Sequence, residues 1–163
     1  MSSKLLTSAV AVTIISLQFV TLPPLQAGNS LPAAKANDKC PVCGMFVSSH
    51  RNWISSIHLK NGSVFFFDGP KDMFSYYLDP GEYVPSAKQS SIAEIRVKDY
   101  YSLKSVDARK AYFVAGSNVS GPMGKELVPL AGESDAQAFM RDHKGKSIYR
   151  FNEITSATLK SLE

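Results

Sequence analysis

An Asn-Gly pair between two apolar runs is the feature that most restricts how this chain can fold. Asn61-Gly62 separates a partly alternating stretch, residues 53–59, from the aromatic run at residues 63–67. Asn-Gly between two strand-like runs is the strongest short-range signal for a hairpin. The sequence therefore predicts that the two runs pair as an antiparallel hairpin.

A helix is predicted directly after the hairpin. Asp68-Gly69-Pro70 ends the second strand and supplies a cap and a proline for the first helical turn. Apolar side chains then recur at helical spacing until Asp79-Pro80-Gly81 ends the pattern; they are Met73, Phe74, Tyr77 and Leu78. Residues 53–79 are thus predicted to form a ββα unit.

The second half of the chain repeats this pattern weakly. Val64–Met73 and Leu127–Ala136 both read as a strand, then Gly-x-x-Asp, then the start of a helix. Any strand-to-helix turn favours Gly and Asp, so chance and structural duplication are equally open at this point. Further strands are predicted at residues 92–97, 111–115 and 148–154.

The composition and the first residues indicate one exported domain. The chain has 163 residues, of which 44% are hydrophobic and 20% charged, as in ordinary globular domains. Lys4, the apolar run to Val20 and the small residue Ala27 predict a secretory signal peptide at 1–27, with a membrane anchor as the alternative. Residues 28–39 are predicted to be a linker. The basic residues do not cluster, which argues against nucleic-acid binding.

The two cysteines of the chain, Cys40 and Cys43, indicate chemistry rather than structural cross-linking. A bridge between them would close a very small loop and stabilise the fold little. Together with Met45 they place three sulfur atoms within six residues, and thiolate and thioether ligands select Cu(I). Gly44 allows the backbone to turn the sulfurs of Cys43 and Met45 towards one ion.

Two further residues are candidate ligands. Met123 lies in a loop without apolar periodicity, Gly121-Pro122-Met123-Gly124, so its side chain either fills a crevice or binds a ligand. His50 follows the cysteine loop closely enough to complete a Cu(I) site, although a solvated loop histidine is the more ordinary interpretation. His58 alternates with the apolar face of its strand and is expected on the surface.

Zinc binding and thiol redox chemistry are the alternatives. A closed zinc site needs four ligands, and scattered His or Asp residues would have to complete it, because no second Cys-x-x-Cys or His pair follows. Cys-Pro-Val-Cys also resembles the dithiol of thioredoxin-like oxidoreductases, but no long amphipathic helix follows it. Asp68, Asp72 and Asp99 are interpreted as single acids at turns and a strand end.

Five motifs, in order and spacing, resemble the NosL family, the copper-binding accessory proteins of nitrous oxide reductase. The resemblance covers residues 38–156, and its first half is also similar to YHS-type metal domains, which usually carry a Cys near the position of Asp68. The motifs are Cys-Pro-Val-Cys-Gly-Met (40–45), Val-Phe-Phe-Phe-Asp-Gly-Pro-Lys-Asp-Met (64–73), Val-Lys-Asp-Tyr (97–100), Ala-Tyr-Phe-Val-Ala-Gly-Ser (111–117) and Gly-Pro-Met-Gly (121–124).

The resemblance implies an α+β fold of two similar small ββα modules, treble-clef-like, with antiparallel sheets. We assign the modules to 40–91 and 92–156 of a domain at 40–156, followed by a tail at 157–163. The resemblance also implies a periplasmic protein that hands Cu(I) to the copper centres of nitrous oxide reductase, with an ABC-type membrane complex as a further partner. Many members are lipoproteins; since no lipoprotein cysteine follows the apolar run, we expect no lipid anchor here.

The family's ligands are carried over residue by residue. Cys43 and Met45 match its Cys-x-Met pair, Met123 matches its Gly-rich Met, and His50 matches a His after the cysteine loop. Cys40 has no counterpart in some members, so Cys40 or His50 completes the site or exchanges with it. We predict a Cu(I) metallochaperone rather than an enzyme, with a periplasmic thiol-disulfide oxidoreductase or a metal-stapled binding module as alternatives.

Overall fold

An antiparallel sheet of four strands forms the first half of the described chain. The computed structural model describes residues 33–163, so the predicted signal peptide and the first part of the predicted linker lie outside the described residues. The strands pair in the order β2-β1-β3-β4. They are β1 (Ser55–Leu59), β2 (Val64–Phe67), β3 (Ile92–Lys98) and β4 (Ser105–Asp107).

The predicted hairpin is confirmed. β1 and β2 pair antiparallel with Ile57 opposite Phe65, and the amide of Leu59 donates to the carbonyl of Ser63 at 2.8 Å. Gly62 has a φ of +87°, the left-handed conformation that favours glycine. The turn at Asn61-Gly62 therefore joins β1 and β2 in the predicted hairpin.

The predicted helix is confirmed as α1 (Pro70–Leu78), which is followed by the single turn α2 (Pro80–Tyr83). Gly69 caps α1 in an extended conformation and Pro70 lies in its first turn, where a missing N–H costs no hydrogen bond. Its buried face consists of Met73, Phe74 and Tyr76, which are at most 1% exposed, whereas Tyr77 and Leu78 are half-buried. Burial of this face fixes α1 on the sheet.

A second antiparallel sheet, of three strands in the order β8-β5-β9, follows in the chain. A two-stranded ribbon, β6 and β7, precedes β8, and no helix within residues 33–163 is long and apolar enough for a membrane crossing. The elements are β5 (Tyr112–Ala115), β6 (Ser120–Gly121), β7 (Gly124–Lys125), β8 (Val128–Leu130), α3 (Glu133–Asp142), β9 (Ser147–Arg150) and α4 (Ser156–Lys160).

The two halves repeat one topology. In the first, β1 pairs with β2 and β3; in the second, β5 pairs with β8 and β9, with α1 and α3 following β2 and β8. The alignment of the two sequence stretches places Pro70 opposite Glu133, and these residues begin the two helices. The predicted α+β fold class is thus confirmed. Because β3 begins at Ile92 and pairs with β1, the first sheet extends past residue 91.

The halves share a hydrophobic core. Phe74 of α1 lies 5.0 Å, between ring centroids, from both Phe113 of β5 and Phe151. The next residue of β5, Val114, belongs instead to the cluster under α3 that contains Phe139. Since neighbouring residues of a strand point to opposite faces, β5 is covered on both sides.

Candidate metal centre

Residues Cys40 to Met45 form a tight loop, here called the knuckle. The amide of Cys40 donates to the carbonyl of Met45, and the amide of Gly44 donates to the carbonyl of Cys40, both at 2.9 Å. Gly44 has a φ of +77°, and a Cβ built there would meet nothing within 4 Å, so only the backbone conformation requires glycine. The knuckle is closed by a bridge between Lys39 and Phe46.

Two aspartates face the knuckle: Asp68 lies in the turn between β2 and α1, and Asp72 lies in the first turn of α1. The Sγ of Cys40 lies 3.3 Å from Oδ2 of Asp72, and the Sγ of Cys43 lies 3.5 Å from Oδ2 of Asp68. One ligand atom from each of the four residues lies within 4.8 Å of the other three. Both cysteines are free thiols, so each can donate to a carboxylate.

Three residues of the group are buried, and Cys43 is the most exposed of the four. Cys40, Asp68 and Asp72 are 1%, 0% and 6% exposed, whereas Cys43 is half-buried. Burial raises the pKa of Cys43 to about 11 and the pKa of Cys40 further still, and it also raises the pKa of Asp72. Without a cation the thiols therefore stay protonated at neutral pH, and metal binding must displace their protons.

The loop that carries Met123 packs against the start of α1. The Nζ of Lys71 donates to the carbonyl of Met123 at 3.1 Å, and the Lys71 amide donates to Oε1 of Glu126 at 2.6 Å. A Cβ on Gly69 would collide with the Glu126 carboxylate, so the loop touches the turn that separates the two aspartates. Met123 itself is 46% exposed.

The structure places the five predicted ligands as follows. Cys40 and Cys43 lie together in the knuckle; Met45 ends the knuckle and is half-buried. His50 ends a 3-10 turn, Val47–His50, and lies outside the four-residue group of cysteines and aspartates. Met123 lies in the loop against α1. That these residues bind a metal stays a prediction.

Sequence reasoning missed the two aspartates of the group. The interpretation of Asp68 and Asp72 as single acids at turns is wrong, since both lie beside the cysteines. The YHS-type pattern, with its Cys near the position of Asp68, is the signal that could have placed this turn opposite a cysteine loop. The surface position expected for His58 is wrong: the residue is 8% exposed, and its Nε2 lies 3.0 Å from the Ser56 hydroxyl. β1 is a central strand, and burial lowers the pKa of His58.

The family comparison agrees with this architecture. The family model of NosL matches residues 32–159, most of the chain. The chain belongs to the NosL family. A relative from Stutzerimonas stutzeri, the copper-binding lipoprotein NosL, is 32% identical over 130 residues, which cover 76% of this chain and 65% of the relative. The chain thus spans less than two thirds of that relative's length.

A solved NosL structure has the same fold. The crystal structure of the copper chaperone NosL from Shewanella denitrificans superposes with a TM-score of 0.66 at 33% identity, covering 83% of this chain and 99% of that one. Both relatives are named for copper, which makes copper the first metal to consider for the knuckle of this NosL-family protein.

Proposed function

We propose that this NosL-family protein is a Cu(I) metallochaperone for the maturation of the copper centres of nitrous oxide reductase. The observation that carries the proposal is the arrangement of sulfur: Cys43 and Met45 lie in one loop, and the Met123 loop packs against the helix start that faces this loop. Cys43 is the main ligand, Met45 and Met123 supply thioethers, and Cys40 or His50 completes the set.

The donor types fit monovalent copper. Thiolate and thioether sulfur are soft ligands and favour Cu(I) over the harder biological cations. A thioether carries no proton, so its contribution to binding does not depend on pH, whereas Cys43 must lose a proton that burial holds tightly. The proposed site therefore combines one pH-dependent donor with two pH-independent ones.

Exposure of the donors fits transfer. Met123 is 46% exposed and Cys43 is half-buried, so a recipient's ligand can approach the ion and replace one donor at a time. We propose that nitrous oxide reductase receives the copper in the periplasm, together with an ABC-type membrane complex. The lipoprotein name of the S. stutzeri relative supports export, and it differs from our expectation of no lipid anchor.

The oxidoreductase alternative is disfavoured by the electrostatics of the knuckle. A catalytic dithiol needs a thiol with a lowered pKa, because the thiolate is the nucleophile. Burial instead raises the pKa of both cysteines, and the carboxylates of Asp68 and Asp72 beside them add to the effect. Binding and transfer, rather than catalysis, are the functions that the knuckle supports.

Competition for Cu(I) with a chromophoric chelator tests the ligand set. Loss of a residue that only hydrogen-bonds a metal ligand already costs about tenfold to 100-fold in metal affinity. We therefore expect Cys43→Ser, Met45→Leu and Met123→Leu each to lower the Cu(I) affinity roughly tenfold or more. Leucine keeps the size of methionine and removes the sulfur. Met140→Leu is the matched control, because Met140 packs against the cluster under α3 that contains Phe139. Unchanged affinity in both Cys43→Ser and Met45→Leu contradicts the assignment.

Transfer is tested separately with the copper-free reductase. The Cu(I)-loaded chaperone should load the reductase in the presence of a chelator that strips free Cu(I), because the ion passes by ligand exchange. Equal loading by the chaperone and by the Cu(I)–chelator complex alone would show that the protein binds copper without delivering it.

A further inference from the structure

An open groove of about 500 Å³, here called the aromatic groove, lies between three connecting segments of the fold. These are the residues before β1, the turn between β3 and β4, and the start of the β6–β7 ribbon. The apolar part of its lining is Trp53, Tyr100, Tyr101, Leu103 and Val119. Trp and Tyr are enriched at protein interfaces because they offer a large, rigid contact area. The groove therefore has the composition of a contact surface.

Leu103 is held towards solvent in an unfavourable backbone conformation. Its φ of +56° lies in the left-handed region that bulky residues rarely adopt, and its side chain is 45% exposed. Glycine would fit this turn without strain. Backbone strain that persists in a protein is concentrated at functional sites. The strain at Leu103 is thus an indication of function that is independent of the groove's composition.

The turn that presents Tyr101 and Leu103 is fixed by the buried Asp99. Oδ2 of Asp99 accepts from the amide and the hydroxyl of Ser102 at 2.8 and 2.6 Å, and the carbonyl of Asp99 accepts from the Leu103 amide at 2.9 Å. Its Oδ1 accepts from the amide of Ala131 at 2.7 Å, which ties the turn to the second repeat. Because the turn is already ordered, a partner that packs on it pays little conformational entropy.

Basic residues adjoin one end of the aromatic groove. Arg51 precedes Asn52, a polar residue of the lining, and the carbonyl of Arg51 accepts from the Nζ of Lys98. Lys104 follows Leu103 and is exposed, as is Arg51. Among residues 33–163, the one salt bridge lies within β3, so these three cations are not paired with an acid of the described chain. They favour carboxylates on a partner.

Acidic residues lie near the other end. Burial, together with the negative charges of Asp142 and Asp135 in α3, raises the pKa of Tyr101. Carboxylates of a partner are therefore attracted to the Arg51 end and repelled from the α3 end, which sets the direction in which a charged segment binds.

The aromatic groove borders both segments that carry proposed Cu(I) donors. On one side, the Trp53 amide donates to the carbonyl of His50 at 2.8 Å. On the other side, Val119 and the lining residue Ser120 lead directly into the loop of Met123. A segment bound in the groove thus lies between the two stretches of chain from which copper would be released.

We infer that the aromatic groove docks an acidic segment of the protein that receives the copper. The segment has an aromatic or leucine side chain, which packs between Trp53 and Leu103, and acidic residues that face Arg51 and Lys104. The groove holds a few side chains, which suits one segment rather than a whole domain face. The inference rests on the proposed function in one respect, namely that the docked partner is the copper recipient.

A display library of random short peptides, selected on the wild type and depleted on Leu103→Gly, tests the groove. The enriched peptides should combine a leucine or an aromatic residue with acidic residues. Fluorescence anisotropy then measures the affinity of one enriched peptide, and Tyr101→Ser and Leu103→Gly should each weaken it roughly tenfold or more. Phe46→Ser is the matched control, because Phe46 is 48% exposed and lies outside the groove.

The charge of the groove is tested with the same peptide. Its affinity for the wild type should fall as the salt concentration rises, and Arg51→Gln should weaken it roughly several-fold. Arg109→Gln, a change of another exposed arginine outside the groove, should keep the wild-type affinity and its salt dependence.

Measurements with Cu(I) separate this inference from the proposed function. Leu103→Gly should keep the wild-type Cu(I) affinity, and Met45→Leu should keep the wild-type peptide affinity. Excess peptide should slow copper loading of the copper-free reductase by the Cu(I)-loaded protein. Loading at an unchanged rate would overturn the inference, whereas no loading at all, with intact peptide binding, would overturn the proposed function alone.

Leu103→Gly should keep or raise the melting temperature, because glycine relieves the strain, so loss of peptide binding in this variant is not unfolding. The inference is overturned if no peptide is enriched, or if the enriched peptides lack acidic residues. It is also overturned if Leu103→Gly abolishes a wild-type dimer in analytical ultracentrifugation, which would make a second copy the occupant. Binding of the wild type, but not of Leu103→Gly, to phosphatidylcholine–phosphatidylglycerol vesicles would make it a lipid surface instead.

Discussion

Glu126 connects the two loops of the candidate metal centre through a single buried carboxyl group. It is 3% exposed, and its Oε1 accepts from the amides of Lys71 and Leu127 at 2.6 and 2.9 Å. Gly69 and Gly121 both lie against it so closely that a Cβ on either would collide with its side chain. The position of the Met123 loop relative to α1 therefore depends on this residue.

Because Glu126 is buried, its protonation makes the free energy of unfolding depend on pH. It raises the pKa of Glu126 from 4.5 to about 8, so the folded protein holds a proton that the unfolded chain releases above pH 4.5. The stabilisation that this raised pKa of Glu126 gives the folded state is fully present below pH 4.5 and is lost as the pH rises to about 8. Glu126→Gln keeps an acceptor oxygen for the Lys71 amide and should flatten this dependence.

Urea unfolding of the metal-free protein between pH 5 and pH 8 measures the effect. The free energy of unfolding should fall less steeply with pH in Glu126→Gln than in the wild type. Glu82→Gln, at an exposed position in α2, should follow the wild-type slope. An equal slope in all three proteins would show that Glu126 is ionised throughout this range.

Rare residue types are the candidate ligands that a sequence reveals most readily. Cys40, Cys43 and the flanking Met45 stand out because the chain has two cysteines and places them together. Asp68 and Asp72 are ordinary acids, 25 and 32 residues from the cysteines that they face. The two aspartates lie beside the cysteines only because the hairpin packs against the knuckle. No local sequence pattern predicts this long-range contact.

At the scale of the element, turns and helix starts could be predicted from the sequence because neighbouring residues determine them. Asn61-Gly62 predicted the hairpin and Pro70 the start of α1, because a positive φ or a missing N–H restricts the backbone directly. The strand predicted at 148–154 ends at Arg150 instead. Phe151 begins a 3-10 turn and packs on Phe74, so a tertiary contact overrides the apolar run.

The hairpin turn can be tested with a pair of glycine substitutions. Gly62 has a φ of +87° and open space around a built Cβ, so Gly62→Ala should cost about 1 kcal/mol through backbone strain alone. Gly81 lies in α2 with ordinary van der Waals distances, so Gly81→Ala should be neutral or stabilise by up to about 1 kcal/mol. Thermal unfolding compares the two, and equal effects would contradict the role of the turn.

At the scale of the whole molecule, the repeat was visible in sequence but its packing was not. The aligned Gly69 and Gly132 cap the two helices, which supports duplication over chance. The sequence pattern does not predict that β5 is covered on both faces, because a short apolar run is equally compatible with a sheet that is covered on one face. The shared core arises from the contact of Phe74 with Phe113 and Phe151 across the two halves.

The shared core predicts that the two repeats unfold together. Phe74→Ala should destabilise the protein by about 3–5 kcal/mol, because it leaves a cavity between both sheets. Trp53, the single tryptophan, precedes β1 in the first half and packs against the second cluster, so its fluorescence reports on the contact between the two halves. Urea midpoints from Trp53 fluorescence and from far-ultraviolet circular dichroism should shift equally in Phe74→Ala. Phe139→Ala, which empties the second cluster, should shift both midpoints together as well. Separate midpoints from Trp53 fluorescence and circular dichroism in either variant would mean that the repeats fold independently, and the contact through β5 would then be only an interface between two small modules.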